Sequence, residues 1–356
     1  MSRTTDSMTL GLVGNQASIH IQRWADAMAA RGHTIVPIDL SGRGRSPLQK
    51  ASAFLNLRRA MAEVARRPNG LVAVHGIPSG VLSTGFRGIH PMVLHAWGSD
   101  VTTEGTGLAS RLRGGQQAAL VRGADRITAT SNYLAETLRR RFGAEASVIP
   151  FGVDTSLFMP RSEERSPGPI RIGFAKLKLT EGYGPDVLIE ALGRLPSGLA
   201  FEAVLTGGDG MKPMLEARAA TLGLQDRVKF LGPLSHLQVL AMLADLDVFV
   251  MPSRREAWGV AAAEASACGL PVIGTRVGGI PEIVVDDETG ILVPPDDVNA
   301  LAAALARAIS DGDLRARLGR GGRHLIEANY AWDKCVDRME AVYFEVERLA
   351  RQGTRG

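Results

Sequence analysis

Residues 252–279 read P-S-R-R-E-A-W-G-V-A-A-A-E-A-S-A-C-G-L-P-V-I-G-T-R-V-G-G. The apolar run at 247–251 just before them reads as a buried strand, and 271–275 reads as another. Between them a loop carries Glu256, and a helix of small residues is expected from about Ala257 to Cys268, ended by Gly269. Strand, helix and strand in immediate succession are the pattern of a parallel sheet covered by helices.

The same alternation extends outward in both directions. Toward the N-terminus, residues 9–14, 34–39, 70–75, 92–96, 126–129 and 146–149 read as short buried strands, with a helix over 19–31 that Gly32 ends. Residues 161–169, R-S-E-E-R-S-P-G-P, are polar with two prolines and a glycine, and read as a linker. The pattern then restarts with strands at 170–175, 200–206, 228–231 and 290–293, and helices at 185–192, 211–222, 298–310 and 314–328. Two α/β units of parallel sheet are therefore expected, with ligand binding in a crevice at the carboxyl ends of their strands.

Composition narrows the class. The chain has 356 residues, 45% hydrophobic and 22% charged, enough for two ordinary cores. No apolar run is long enough to cross a bilayer, and residues 1–10 lack the layout of a secretion signal, so a cytoplasmic protein is expected. Cys268 and Cys335 stand too far apart in sequence to suggest a zinc site or a redox pair, and read as small buried residues. The net charge of +4 divides into +8 on residues 1–160 and −4 on residues 161–356. The basic first half reads as a solvated arginine-rich surface or, alternatively, as a face for an anionic membrane or an acidic acceptor. No aromatic residues interleave its arginines at 139–141, so nucleic acid is not an expected partner.

Glu256 and Glu264 stand eight residues apart, a rise of about 12 Å if the stretch were helical throughout. That span suits one carboxylate near a sugar and one near a ribose, with a diphosphate between them. The backbone N–H groups of Ala257, Trp258, Gly259 and Val260, at the expected helix start, attract phosphate through unsatisfied donors and the helix dipole.

With its flanks P-S-R-R-E, A-C-G-L-P-V-I-G-T and V-G-G-I-P-E-I-V, this segment resembles the E-x7-E region of the family-4 retaining glycosyltransferases. Four further stretches resemble that family in order along the chain: V-I-P-F-G-V-D-T-S-L-F from 148, R-V-K-F-L-G-P-L from 227, D-E-T-G-I-L-V-P-P-D-D from 287 and N-Y-A-W from 329. The resemblance implies the GT-B fold, two Rossmann-like parallel-sheet domains facing a central cleft. Residues 1–160, with a terminal helix at 332–356, would form the acceptor domain, and residues 168–331 the nucleotide-sugar domain. It implies a metal-independent reaction with no cofactor, in which the nucleotide-sugar, with UDP or GDP as its nucleotide, is a co-substrate and a sugar, lipid-linked or small-molecule hydroxyl is the acceptor. Glu256 would touch sugar hydroxyls, Glu264 the ribose, and Leu231 would lie in the base-binding strand and loop.

In L-H-A-W-G-S-D, residues 94–100, the resemblance implies that His95 contacts the donor sugar and that Asp100 orients neighbouring groups or the acceptor. Gly14 permits close backbone approach, and Asn15 and His20 belong to the acceptor side, although the usual glycine-rich loop is reduced here to V-G-N-Q-A-S. His20 and Trp24 share a helix face, which reads first as packing on the sheet. The diphosphate contacts depart from the family pattern. In G-F-A-K-L-K-L-T-E-G-Y-G-P-D-V-L-I-E-A-L, from 173, Tyr183 occupies the usual lysine position. Counting back without a gap puts Lys178 at the family arginine, with Lys176 as a helper and Arg254 or Arg255 as further candidates. A nucleotide-sugar epimerase on the same two-lobe fold and a non-catalytic sugar-binding protein are the alternative readings. A nicotinamide enzyme is disfavoured, because Gly11, Gly14 and Gly32 lack the G-x-G-x-x-G spacing.

Overall fold

A computed structural model describes residues 7–40, 47–78, 81–102, 108–162 and 167–353. The chain divides into two compact units, Met1–Phe151 with Asp333–Gly356, and Gly152–Trp332. Among the described residues, each unit holds one six-stranded parallel sheet.

In the first unit the strands are β1 (Thr9–Gly14), β2 (Thr34–Asp39), β3 (Gly70–His75), β4 (Met92–Ala96), β5 (Arg126–Ala129) and β6 (Ser147–Val148), in the order β2-β1-β3-β4-β5-β6. Helices α1 (Ile19–Ala30), α2 (Pro47–Ala65), α3 (Val81–Thr84), α4 (Ser99–Thr102), α5 (Leu108–Arg122) and α6 (Asn132–Phe142) connect them. In the second unit β7 (Ile170–Leu179), β8 (Phe201–Gly210), β9 (Val228–Gly232), β10 (Val248–Met251), β11 (Val272–Thr275) and β12 (Gly290–Val293) take the order β12-β11-β10-β7-β8-β9. Helices α7 (Pro185–Gly193), α8 (Lys212–Thr221), α9 (His236–Ala244), α10 (Val260–Ala267), α11 (Ile280–Ile283), α12 (Val298–Ser310) and α13 (Gly312–Asn329) complete that unit, and α14 (Trp332–Gly353) follows.

The strands are apolar because helices cover both faces of a parallel sheet. All of β3, β4, β10, β11 and β12 is buried. Strand order reverses between β1 and β3 in the first sheet and between β7 and β10 in the second. A crevice opens at the carboxyl ends of the strands at each such reversal.

Several boundaries differ from the sequence reading. Residues 152–160 belong to the second unit, because backbone hydrogen bonds join Val153 to Tyr330 and Trp332, and Arg323 donates to the carbonyls of Phe158 and Thr155. Of the expected linker, residues 163–166 lie outside the described residues, while Arg161 is tied to Asp247 at 3.0 Å. Strand β7 continues past Ala175 to Leu179, with a register shift between Ala175 and Lys178 against β8. The alternating K-L-K-L there is the signature of a half-exposed strand, not of the fully buried runs that marked the others. Helix α9 was not anticipated, although Ser235 and Gln238 form a capping box at its start.

Helix α14 is tied to the first unit through Glu340. Its carboxylate accepts from Arg31 at 2.7 Å and faces Nε2 of buried His33 at 2.9 Å, while His33 Nδ1 accepts from the Met8 amide. With Nδ1 accepting, Nε2 carries the proton and needs an acceptor. Replacing Glu340 by Ala strands that donor, at about 1–3 kcal/mol. Scanning calorimetry of Glu340→Ala should show the first unit's midpoint lowered by about 3–10 °C. An unchanged midpoint would mean that the other contacts of the helix, such as Glu345 with Arg126 and Tyr343 with His95, hold it without Glu340.

Candidate functional site

In the second unit the loop between β10 and α10 is held by backbone pressed on backbone. Gly184, at φ 66°, lies so close that a Cβ there would come 2.1 Å from the Pro252 carbonyl oxygen. A Cβ on Gly278, at φ 54°, would meet the Glu256 oxygen at 1.6 Å, and one on Gly279 would meet that of Ala257 at 2.4 Å. The amides of Arg254 and Arg255 both donate to the Gly182 carbonyl, at 2.9 and 3.2 Å. Arg254, expected as a donor contact, braces the loop here: its guanidinium grips both oxygens of Asp186 at 2.9 and 2.7 Å and reaches Asp296 at 2.6 Å. Burial pushes the Asp186 carboxyl up, but the hydrogen bonds and charge of Arg254 outweigh it and hold that group below the usual range.

This frame sets Glu256 opposite the end of β7. Lys176 Nζ lies 2.5 Å from Glu256 Oε2, with the two side chains 12% and 15% exposed, and 4.3 Å from the centre of the Tyr183 ring. Lys178 is exposed on the extension of β7. Lys176, expected as the helper, is therefore the lysine that meets Glu256, while Lys178, expected as the main diphosphate contact, lies beyond a register shift of β7 against β8.

Helix α10 starts at Val260, not at Ala257, because Gly259 at φ 108° has left-handed backbone. Its first-turn donors are therefore those of Val260, Ala261 and Ala262, and Glu256 stands outside the helix, so the spacing based on a continuous helix does not apply. Ala257 is half-buried, and its amide donates to Glu256 Oε1 at 3.3 Å. Trp258 is buried core, edge-on to Tyr330 with centroids 5.7 Å apart, and contributes no ligand-facing side chain. Glu264 is buried on α10 and faces His236 Nε2 at 3.1 Å. His236, which the sequence reading passed over, stands in the first turn of α9 against the Phe158 ring. Leu231, near the end of β9, is 50% exposed.

Two other features of this unit lie at the opposite end of the sheet. Asp245 and Asp247 precede β10, where Arg171 and Arg161 engage them. A cavity of about 570 Å³ opens there beside Ile170, Pro271 and Arg315. The reversal of strand order points instead to the carboxyl ends of the strands, where Lys176 and Glu256 stand. Among the described residues no group of three or more His, Cys, Asp or Glu side chains is arranged to hold a metal ion. Burial, with Glu264 nearby, pushes the Cys268 thiol up to about 12, and burial pushes that of Cys335 up to about 11, so both are unreactive.

In the first unit, Gly14 serves packing: a Cβ would come 2.4 Å from Ile21 Cδ1 of α1. Asn15 is exposed and turns the chain into α1, its side chain accepting from the Ala17 amide. Asp100 accepts from the amides of Ile77 at 2.8 Å and Gly98 at 2.6 Å, which ties the loops after β3 and β4 together. Burial nevertheless raises its pKa above the usual carboxylate value. His95 does not face open space. It is 1% exposed, with Nδ1 2.7 Å from the Thr128 hydroxyl and Nε2 3.0 Å from that of Tyr343 on α14. His20, 4.4 Å from the Phe151 ring centre, and Trp97, 5.2 Å from the same ring, are half-buried aromatic groups at this sheet end. Trp97 stood in the quoted motif, one residue beyond the strand end, and that position was the missed signal.

A family model described as Glycosyltransferase Family 4 matches residues 17–157, and one described as Glycosyl transferases group 1 matches residues 162–325. The D-inositol 3-phosphate glycosyltransferase of Xylanimonas cellulosilytica is 33% identical over 250 residues, 64% of this chain and 59% of the relative. The GDP-mannose-dependent alpha-(1-6)-phosphatidylinositol monomannoside mannosyltransferase of Mycolicibacterium smegmatis is 33% identical over 226 residues, 59% of each chain. The match therefore spans under two thirds of these relatives' own lengths. The solved sucrose-phosphate synthase of Thermosynechococcus elongatus shares the fold, with a TM-score of 0.78 at 22% identity over 95% of this chain and 98% of its own.

The buried histidines of the first unit give a pH dependence. Burial lowers His75 to about 3, and burial together with His75, stacked at 4.5 Å, holds His95 well below its usual value. In the unfolded chain both titrate near 6.5, so below that pH the unfolded state binds more protons. The stability that neutral His75 leaves is lost as pH falls from about 6.5 toward 3, by about 1.4 kcal/mol per pH unit, and His95 acts in the same direction. Thermal midpoints measured from pH 7 to pH 4 should fall less steeply for His75→Phe than for the parent chain. Parallel curves would mean that His75 titrates alike in both states.

Proposed function

Because this chain belongs to glycosyltransferase family 4, we propose that it moves a sugar from a nucleotide-diphosphate donor to a hydroxyl acceptor, with retention of anomeric configuration and without a divalent metal. The observation that carries this reading is the Lys176–Glu256 pair at the β7/β10 strand reversal, with the first turn of α10 and the buried Glu264 beyond it. The second unit is the donor unit. Lys176 and the α10 amides meet the diphosphate charge, in place of a metal. Glu264 accepts from the ribose hydroxyls, and Glu256 orients the sugar hydroxyls and stabilises positive charge as the glycosidic bond breaks. The departing phosphate takes the acceptor's proton on the same face, so Glu256 is given no nucleophilic role.

UDP- and GDP-sugars are the donors of this reading. Both relatives named above act, by their names, on inositol-containing acceptors. A cyclitol phosphate or a lipid carrying one is accordingly the acceptor class assigned to the first unit. The +8 charge on residues 1–160 supports a cytoplasmic protein peripheral to an anionic membrane. Among the described residues no helix is long and apolar enough to cross one.

The reading is tested by incubation with UDP-glucose or GDP-mannose and inositol phosphates, with product anomers assigned by NMR. Activity should persist in excess chelator, and a loss restored by magnesium would overturn the metal-independent route. Glu264→Ala should raise donor KM about tenfold with a smaller effect on kcat, whereas Glu256→Gln should lower kcat by about 10–100-fold. Small, equal effects of the two would remove both carboxylates from the site.

A further inference from the structure

The ammonium of Lys176 has two neighbours of different kinds. On one side is the Glu256 carboxylate at 2.5 Å, and on the other is the face of the Tyr183 ring at 4.3 Å. Ring and carboxylate ride on one rigid piece of backbone. Tyr183 sits in a single 3-10 turn, Glu181–Tyr183, closed by the Gly184 amide on the Glu181 carbonyl. The carbonyl of Gly182, within that turn, accepts from the amides of Arg254 and Arg255, the two residues before Glu256. Gly184, just after it, presses on Pro252. A lysine is a compact charge on a flexible stem, so its position depends on what surrounds it. A carboxylate alone would hold the ammonium where the sugar hydroxyls must go.

We propose that Tyr183 is a positioning residue whose ring holds the Lys176 ammonium for the diphosphate of the donor. The inference rests on the function proposed above. An aromatic face attracts a cation without offering a proton or a competing negative charge. An ammonium has three N–H donors, so one remains on Glu256 while others turn to phosphate oxygens. On donor binding Lys176 gains a second anion without leaving the ring, and Glu256, still paired through Oε2, keeps its remaining lone pairs for the sugar hydroxyls.

The test compares Tyr183→Phe, which keeps the ring, with Tyr183→Leu, which removes it, each alone and combined with Lys176→Ala. UDP and GDP are titrated calorimetrically into each. For whichever nucleotide binds, Tyr183→Leu should weaken binding by about 5–30-fold and Tyr183→Phe by no more than about twofold. In the Lys176→Ala background, Tyr183→Leu should add nothing further. Parent-like binding by Tyr183→Leu, or an equal loss with and without Lys176, overturns the inference, the second outcome showing a structural effect of the tyrosine. A parent chain that binds neither nucleotide overturns the functional reading instead. The positioning role is then decided without ligand. The chain has six lysines, so the NMR signals of its reductively methylated lysines are assignable one by one. The Lys176 methyl signal should be shifted by the ring current in the parent and in Tyr183→Phe and lie at the ordinary position in Tyr183→Leu. An ordinary position in all three overturns the inference.

Discussion

Residues 252–258 are held by backbone packed on backbone: three glycines press directly on the carbonyl oxygens of Pro252, Glu256 and Ala257. The gaps at Gly184, Gly278 and Gly279 are smaller than any side-chain carbon allows. Two of these glycines also hold positive φ, which other residues adopt at a cost of about 1–2 kcal/mol. The segments that press on the loop come from the turn before α7 and from the turn after β11, so two connections converge on a third. The Arg254 bonds to Asp186 and Asp296 tie the loop by charge to the start of α7 and to the turn after β12.

Everything chemical in the second unit hangs from that frame. Glu256 stands at the edge of the clamped loop, Lys176 arrives on the extension of β7, and Tyr183 belongs to the turn that the loop's own amides hold. A small, partly enclosed cluster results, in which one cation serves one carboxylate and leaves donors over. Such a cluster has a stronger field than the same groups would have in open water, because less solvent intervenes. Loops commonly carry function on a rigid scaffold, and here the loop itself has been made rigid.

The first unit is organised differently. A histidine pair, a tyrosine and a tryptophan fill the carboxyl end of its sheet, and helix α14, the last segment of the chain, supplies the tyrosine hydroxyl that His95 meets. This end of the sheet is held by packing and by hydrogen bonds, among them those that the Asp100 carboxylate accepts from backbone amides, whereas the equivalent end of the second sheet carries the Lys176–Glu256 and Arg254–Asp186 ion pairs.

The strands and most helices were legible in the sequence, because a parallel sheet covered on both faces needs unbroken apolar runs, and these stand out between glycines and prolines. The family was legible for a related reason: the glycine and proline positions of 252–279 are those a clamped loop requires. What the sequence could not display is which charged groups meet. Lys176 and Glu256 are 80 positions apart, and nothing in the local sequence shows that Lys176, not Lys178, meets the carboxylate. Arg254 looked free for phosphate until Asp186 and Asp296 arrived from other connections, and His95 looked open until Thr128 and Tyr343 closed on it. Periodicity records burial, a property of each segment in turn. Pairing of charges and hydrogen bonds depends on distances between segments remote along the chain, and the tertiary structure alone fixes those.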